Sequence, residues 1–309
     1  MITSVFKKST PINYLFVLLA TLFFYFFYVM NHGTAEMTLV EITKKGIGIV
    51  MLLASLFVVN FIIKKNGLSK DSTYTVFFYL LLVLFFPSVL ENLRLFAANF
   101  FVLLGLRRLI SLQSLKAPKE KIFDASLWIF LAAIFHYWCI LFIILVFVSI
   151  IFHVSSDYRN WILPFIAFLT VAILFIVSAL IFDKNWIDLF FQNATIDMRI
   201  EYFQSVYENI SLSLYATVAL FFVVSFFSTL SNRPMILQAS YKKVIMWFVL
   251  GIVIYVLSPQ KSNDVLIFTF APLAMMATFH IETAQIKWQK EVVVYFLVGL
   301  SLFSYFSQL

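Results

Sequence analysis

Long stretches without a charged residue follow one another along almost the whole chain, at residues 12–31, 47–63, 73–90, 161–182, 212–230, 244–257, 265–279 and 292–307. A bilayer core asks for roughly 20 apolar residues per helical crossing. Snorkelling lysines and arginines and polar helix ends make up the shortfall of the shorter runs. Residues 95–106, between Arg94 and Arg107, add a ninth crossing if both arginines reach to opposite surfaces. In lipid a backbone must satisfy its own hydrogen bonds, which leaves helices or a closed barrel. A barrel needs alternating strands with aromatic girdles, whereas here the runs are continuous and the 39 Phe, 14 Tyr and 6 Trp are spread over nearly all of them. The chain is 63% apolar and 12% charged, against roughly 25% charged in a soluble domain, so soluble globular and disordered classes are both excluded. The expectation is an all-α polytopic transmembrane helix bundle. No linker or internal repeat divides residues 1–309, and a single integral membrane domain follows. The first run, after Lys7 and Lys8, lacks a small-residue cleavage site and reads as an uncleaved helix.

Residues 125–152 form 28 uncharged positions with His136-Tyr137-Trp138 near the middle. One helix of that length would measure about 42 Å against a core of about 30 Å. An imidazole at its centre would be costly against lipid. Breaking the run at the histidine gives two pieces of roughly 20 Å and predicts a re-entrant or short hairpin. The distribution of positive charge favours the break. With the hairpin, 16 Lys and Arg lie inside and 6 outside, whereas a single helix gives 13 and 9. The resulting topology has a cytoplasmic N-terminus and an outer C-terminus. The inner loops carry +10 and the outer loops −3. The inner bases read as a topology signal in contact with anionic lipid headgroups, not as a nucleic-acid surface.

Soluble-site motifs are missing. The lone Cys139 lies in an apolar run, the four histidines have no metal-ligand spacing, and no glycine-rich phosphate loop occurs, so neither a metal nor a cofactor is expected. Chemistry, if present, belongs to ionisable groups at the outer rim. These are Glu36 and Glu41 in the first outer loop, Glu91 and Arg94 at i, i+3, His136 at the hairpin tip, and Lys261 with Asp264. Residues 183–211 form a long outer segment in which Ile196, Ile200, Phe203, Tyr207 and Ile210 recur at spacings of four and three, predicting an amphipathic surface helix over 196–210 that bears Arg199.

The stretches MITSVFKKSTPINYL, VVNFIIKKNGLSKDSTY and LRRLISLQSLKAPKEKIFDASLWIFLAAIF resemble a polytopic inner-membrane family of unknown function in Bacteroidota. An Arg-bearing helix followed by a hairpin with Ala132-x-x-x-His136, and a later Pro-centred helix after a basic loop, Lys261 through Pro272, also resemble exopolysaccharide and O-antigen polymerase-like membrane glycosyltransferases. That second resemblance implies sugar transfer from a polyprenyl diphosphate donor on the outer face. Related transferases carry an Asp-containing motif in the first outer loop, where this chain has only Glu36 and Glu41.

A diphosphate-linked lipid needs cations at headgroup depth, a base for the acceptor hydroxyl, and a lateral opening for its tail. Arg94, Arg199 and Lys261 are the candidates for substrate binding, and Glu91 and His136 for catalysis. The expected partners are membrane lipid and a polyprenyl-linked glycan, in a bacterial inner membrane. A transporter or flippase, and a non-catalytic subunit of an envelope complex with protein partners, are the alternatives. Arg94, His136 and Lys261 are expected around one outer cavity, since ionisable groups at this depth are solvated together more cheaply than apart.

Overall fold

The computed structural model describes residues 2–32, 38–198, 205–230, 234–259 and 261–309. Thirteen α-helices and no strand occur among them. They are α1 Ile2–Phe6, α2 Pro11–His32, α3 Leu39–Lys65, α4 Tyr74–Leu84, α5 Leu93–Ile110, α6 Pro118–Phe135, α7 Ile143–His153, α8 Arg159–Phe182, α9 Asn185–Gln192, α10 Val206–Leu230, α11 Met235–Leu257, α12 Ile267–Thr283 and α13 Lys287–Ser307. Among the described residues eight helical segments are long and apolar enough to cross a membrane, and Tyr74–Leu84 and Tyr137–His153 are shorter apolar ones. The chain is a helical membrane protein.

At the centre stand α4 and α12. Every residue of α4 is buried, as are 14 residues of α12. A helix apolar on all sides belongs in the middle of a bundle. At the periphery, only 17% of the membrane-length window of α8 is buried within the protein, which leaves the rest for lipid. Burial against lipid-like surface supplies little association energy, so packing and interhelical hydrogen bonds fix the arrangement. The Thr278 hydroxyl donates to Thr75 Oγ1 (3.1 Å), Asn99 donates to the Tyr79 hydroxyl (3.0 Å), and the Tyr215 and Thr269 hydroxyls share a hydrogen bond of 2.5 Å. At two glycines the helices come close. A Cβ on Gly105 would meet the Ala125 carbonyl oxygen at 3.1 Å, and one on Gly251 would meet Thr269 Cγ2 at 2.6 Å.

Hydrogen bonds at the helix ends sort the bundle into two faces. On the near face, which holds the N-terminus, Thr3 bonds to Glu291, Tyr74 donates to the Thr3 carbonyl (2.5 Å) and Ser72 donates to Glu282 (2.6 Å). On the far face Gln308 donates to the Phe85 carbonyl (3.0 Å) and to Ser211 Oγ (2.7 Å), and Ser88 donates to Asp264.

Residues 125–152 do form a hairpin, broken at His136, whose backbone is extended (φ −143°, ψ 106°). Lys119 Nζ lies 3.0 Å from Asp157 Oδ2, so the start of α6 and the turn after α7 share the near face. That hydrogen bond, with one from the Arg159 amide, holds the Asp157 carboxyl below the usual carboxylate range. The legs are longer than the uncharged run suggests. The first begins at Pro118 and takes Lys119, Glu120, Lys121 and Asp124 into the helix, about 27 Å in all. In the second, a 3-10 stretch Tyr137–Phe142 precedes α7 and brings the length to about 28 Å. Each leg therefore nearly matches a bilayer core in length, and the hairpin is longer than the re-entrant or short hairpin expected.

Two further expectations are corrected. The run 73–90 is not one helix, because α4 ends at Leu84 and Pro87–Glu91 is a 3-10 turn. A residue before proline is driven out of the helical region, and Phe86 (φ −136°, ψ 79°) has left it. The surface helix expected over 196–210 is placed differently. Helix α9 lies earlier, residues 195–198 have no regular structure, and Tyr207 and Ile210 already belong to α10. Trp186, Leu189 and Phe190 carry the same three- and four-residue spacing, and Asn193 caps α9 before the chain turns away. Arg199, Ile200 and Phe203 lie outside the described residues, as does Glu36.

Candidate functional site

The far-face site starts at the junction into α5. Asn92 caps this helix, its Oδ1 accepting from the Leu95 amide at 3.3 Å. The cap places Arg94 on the first turn, exposed. Helix dipoles favour anions at this end, so a guanidinium here works against helix stability and adds to an anion-attracting field.

Opposite stands the hairpin tip. The His136 amide donates to the Ala132 carbonyl (3.0 Å) and closes α6, and the histidine carbonyl accepts from the Cys139 amide (3.0 Å). Its ring rests against Phe268 at the start of α12, centroids 5.5 Å apart. His136 Nε2 and Trp138 Nε1 are both shielded from solvent and have no hydrogen-bond partner among the described residues. Orphaned polar atoms at this depth are costly unless something polar meets them.

One cavity of about 120 Å³ joins these elements, lined by Asn92, Arg94, His136, Trp138, Asn193, Ser258, Pro259 and Ser262 among others. Lys261 is half-buried and lies in sequence between the lining residues Pro259 and Ser262, but is not itself a lining residue. The structure therefore brings Arg94 and His136 to one cavity and leaves Lys261 outside its lining. Beside it lies an apolar slot of about 500 Å³ between the hairpin, α8 and α9, lined by Phe130, Ile134, Phe168, Phe175 and Phe190 among others. Tyr137 lines both spaces and packs against Phe190, centroids 5.2 Å apart. Helix α9 is thus a cover for the slot, and its C-terminal Asn193 reaches the polar cavity.

Glu91 does not join this group. Residues three apart share a helix face only within one continuous helix, and Asn92 (φ −90°, ψ 80°) separates the 3-10 turn from α5. Glu91 lines another cavity, of about 180 Å³, with Tyr25, Glu41, Lys44 and Lys45, and forms no ion pair with Arg94 among the described residues. Glu41 has structural work: its carboxylate accepts from the Thr38 amide (3.0 Å) while Thr38 Oγ1 accepts from the Glu41 amide (3.3 Å), a reciprocal cap on α3.

Sequence reading passed over Asn92, Trp138, Asn193, Ser258 and Ser262 as lining groups. Asn92, immediately before an apolar run, carried a helix-cap signal that could have flagged it. Asp264, close to Lys261 in sequence, ties the segment before α12 to the 3-10 turn Pro87–Glu91, accepting from the Ser88 hydroxyl. No group of three or more His, Cys, Asp or Glu suited to a metal occurs among the described residues.

No curated protein and no solved structure matches the chain significantly. A family model does match, over residues 5–309, and covers nearly all of the hairpin bundle and both sides of the cavity. The chain belongs to the family of unknown function DUF6427.

Proposed function

We propose that the far-face cavity receives the anionic headgroup of a lipid-linked substrate, with the lipid chain in the adjoining slot, and that the protein is a polyprenyl-diphosphate-linked glycan transferase or polymerase. The observation that carries this reading is the shared wall. A polar cavity bearing Arg94, His136 and two orphaned ring nitrogens meets an apolar slot at Tyr137. A long-chain prenyl diphosphate has this division of chemistry, a compact dianionic head on an apolar tail. Arg94 supplies a bidentate fork for one phosphate, and Lys261, in sequence between the lining residues Pro259 and Ser262, is the candidate for a second positive charge. His136 Nε2 takes the proton of an acceptor hydroxyl as that oxygen bonds to the sugar carbon. The sugar–phosphate bond breaks, and its electron pair leaves with the diphosphate. In the same reading the far face is the outer side of a bacterial inner membrane, with the N-terminus in the cytoplasm, as the excess of near-face bases supports.

The test measures binding of a long-chain polyprenyl diphosphate and of the matching prenol to the purified chain. The diphosphate should stabilise the protein and the prenol should not. Arg94→Lys should weaken diphosphate binding roughly ten-fold, the loss of one charge-assisted contact of about 1.5 kcal/mol. Equal binding of diphosphate and prenol, or a silent Arg94→Lys, overturns the proposal.

A further inference from the structure

The opposite end of the bundle holds a second cavity, of about 410 Å³, enclosed by the C-terminal ends of α3 and α5, the 3-10 turn Ser111–Ser114 and the start of α6. Five bases line it: Lys65, Arg107, Arg108, Lys116 and Lys121. No carboxylate does. Among the described residues Arg108 alone of the five has an ion-pair partner, Asp124, at 2.8 Å from outside the lining. Positive-inside topology asks only for bases somewhere on this face, and helix dipoles ask for cations at the ends of α3 and α5. Neither asks them to converge on one concave space, where like charges repel.

Three details organise the convergence. Lys65 Nζ and the Arg107 guanidinium carbon lie 4.9 and 4.4 Å from the centroid of one ring, Phe61, so a single aromatic steadies both cations. Lys121 Nζ is fixed by the Ser111 carbonyl and Ser114 Oγ, each at 2.8 Å. Lys116 sits between Leu115 (φ 52°) and Ala117 (φ 45°), the two non-glycine residues with left-handed backbone among the described residues. Strain of this kind persists where the surroundings over-determine it, and it gathers at ligand clamps.

We propose that this cavity is a phosphate site. It takes the phosphate of an anionic lipid headgroup at the membrane surface, or the same group on a soluble phosphate ester. Two guanidinium forks and three ammonium groups suit a phosphate's three or four acceptor oxygens, and a site at the ends of spanning helices lies at headgroup depth. The proposal is independent of the far-face reading.

The full chain is reconstituted in phosphatidylcholine and its thermal midpoint followed as phosphatidic acid replaces part of that lipid, or as inorganic phosphate is added at ionic strength matched with chloride. The variants are Arg107→Gln with Lys116→Gln, Lys116→Gln alone, and, as a control for net charge on the same face, Lys287→Gln with Lys290→Gln. Lys116 is exposed, so its variant should fold even if the pair does not. Expected is stabilisation by a phosphate form in the wild type and the control, with apparent affinity down roughly ten-fold in the paired variant and measurably in Lys116→Gln. Stabilisation by phosphatidic acid alone assigns a lipid source, and equal stabilisation by inorganic phosphate a soluble one. No response to either form, or an equal loss in the Lys287/Lys290 control, overturns the site.

Discussion

Gly251→Ala tests how the far-face cavity is held in shape. The added methyl would lie 2.6 Å from Thr269 Cγ2 and 3.3 Å from the backbone carbon and oxygen of Phe268. Carbon atoms pack at about 3.5–4.0 Å, so relief of roughly 1 Å is needed. Thr269 cannot simply rotate, because its hydroxyl donates to the Leu266 carbonyl at 2.5 Å and shares a bond with Tyr215. Helix α12 must therefore move as a unit. Overpacking of this kind costs about 1–3 kcal/mol, and the constraint on Thr269 puts it near the upper end. Removing a helical glycine returns about 0.5–1 kcal/mol, leaving a net loss of roughly 1–2 kcal/mol. Gly299 on α13 is the control: its Cβ would meet nothing within 4 Å, so Gly299→Ala should be neutral or slightly stabilising. Thermal unfolding in one detergent should separate the two variants by several degrees, on the order of 5 °C. Thr269→Ser removes Cγ2 and keeps the hydroxyl, so adding it to Gly251→Ala should recover most of the loss. Equal midpoints for the two alanine variants, or no recovery, would refute the argument that Gly251 sets the α11–α12 approach.

Two other outcomes are expected. Cysteines placed at Lys119 and Asp157 should react with an impermeant maleimide from one side of the membrane, and one at Tyr137 from the other; the native Cys139 is buried and gives little background. Labelling of 119 and 157 from opposite sides would mean that α6 and α7 are not a hairpin. Glu291→Leu should release α1, since Thr3, 9% exposed, loses both bonds to that carboxylate, at about 1–3 kcal/mol. Limited proteolysis should then cut within residues 2–9, and a cleavage pattern no different from Glu120→Leu would refute the docking role.

Membrane class and the hairpin were legible because both rest on strong constraints. Continuous uncharged runs leave few structures open, and a histidine in the middle of 28 such residues must go to a surface. The legs run past the uncharged residues because charge does not mark the end of the helix here. Lys119, Glu120, Lys121 and Asp124 stay helical and are partly compensated, Asp124 by Arg108 and Lys119 by Asp157. The single helix expected over 73–90 failed at Pro87, a signal present in the sequence and outweighed by the apolar run around it. Of the outer amphipathic helix expected over 196–210, residues 199–204 lie outside the described residues, 196–198 are irregular and 206–210 begin α10. The same spacing also describes Trp186, Leu189 and Phe190, and Phe190 packs on Tyr137 and Phe175.

The candidate site divides along the same line. Arg94, His136 and Lys261 stood out because ionisable groups at the rim of an apolar bundle need a reason to be there. Asn92, Asn193, Ser258 and Ser262 did not, since amides and hydroxyls in loops have ordinary turn and cap chemistry to perform. Glu91 shows the limit of spacing as an argument: i and i+3 share a face only if no residue between them leaves the helix, and Asn92 does. The same residue that interrupts the helix between Glu91 and Arg94 caps α5 and so places Arg94 on its first turn. One uncharged side chain thus parts the two, leaving Arg94 on the wall of the far-face cavity and Glu91 in the cavity on the α2–α3 side of the bundle.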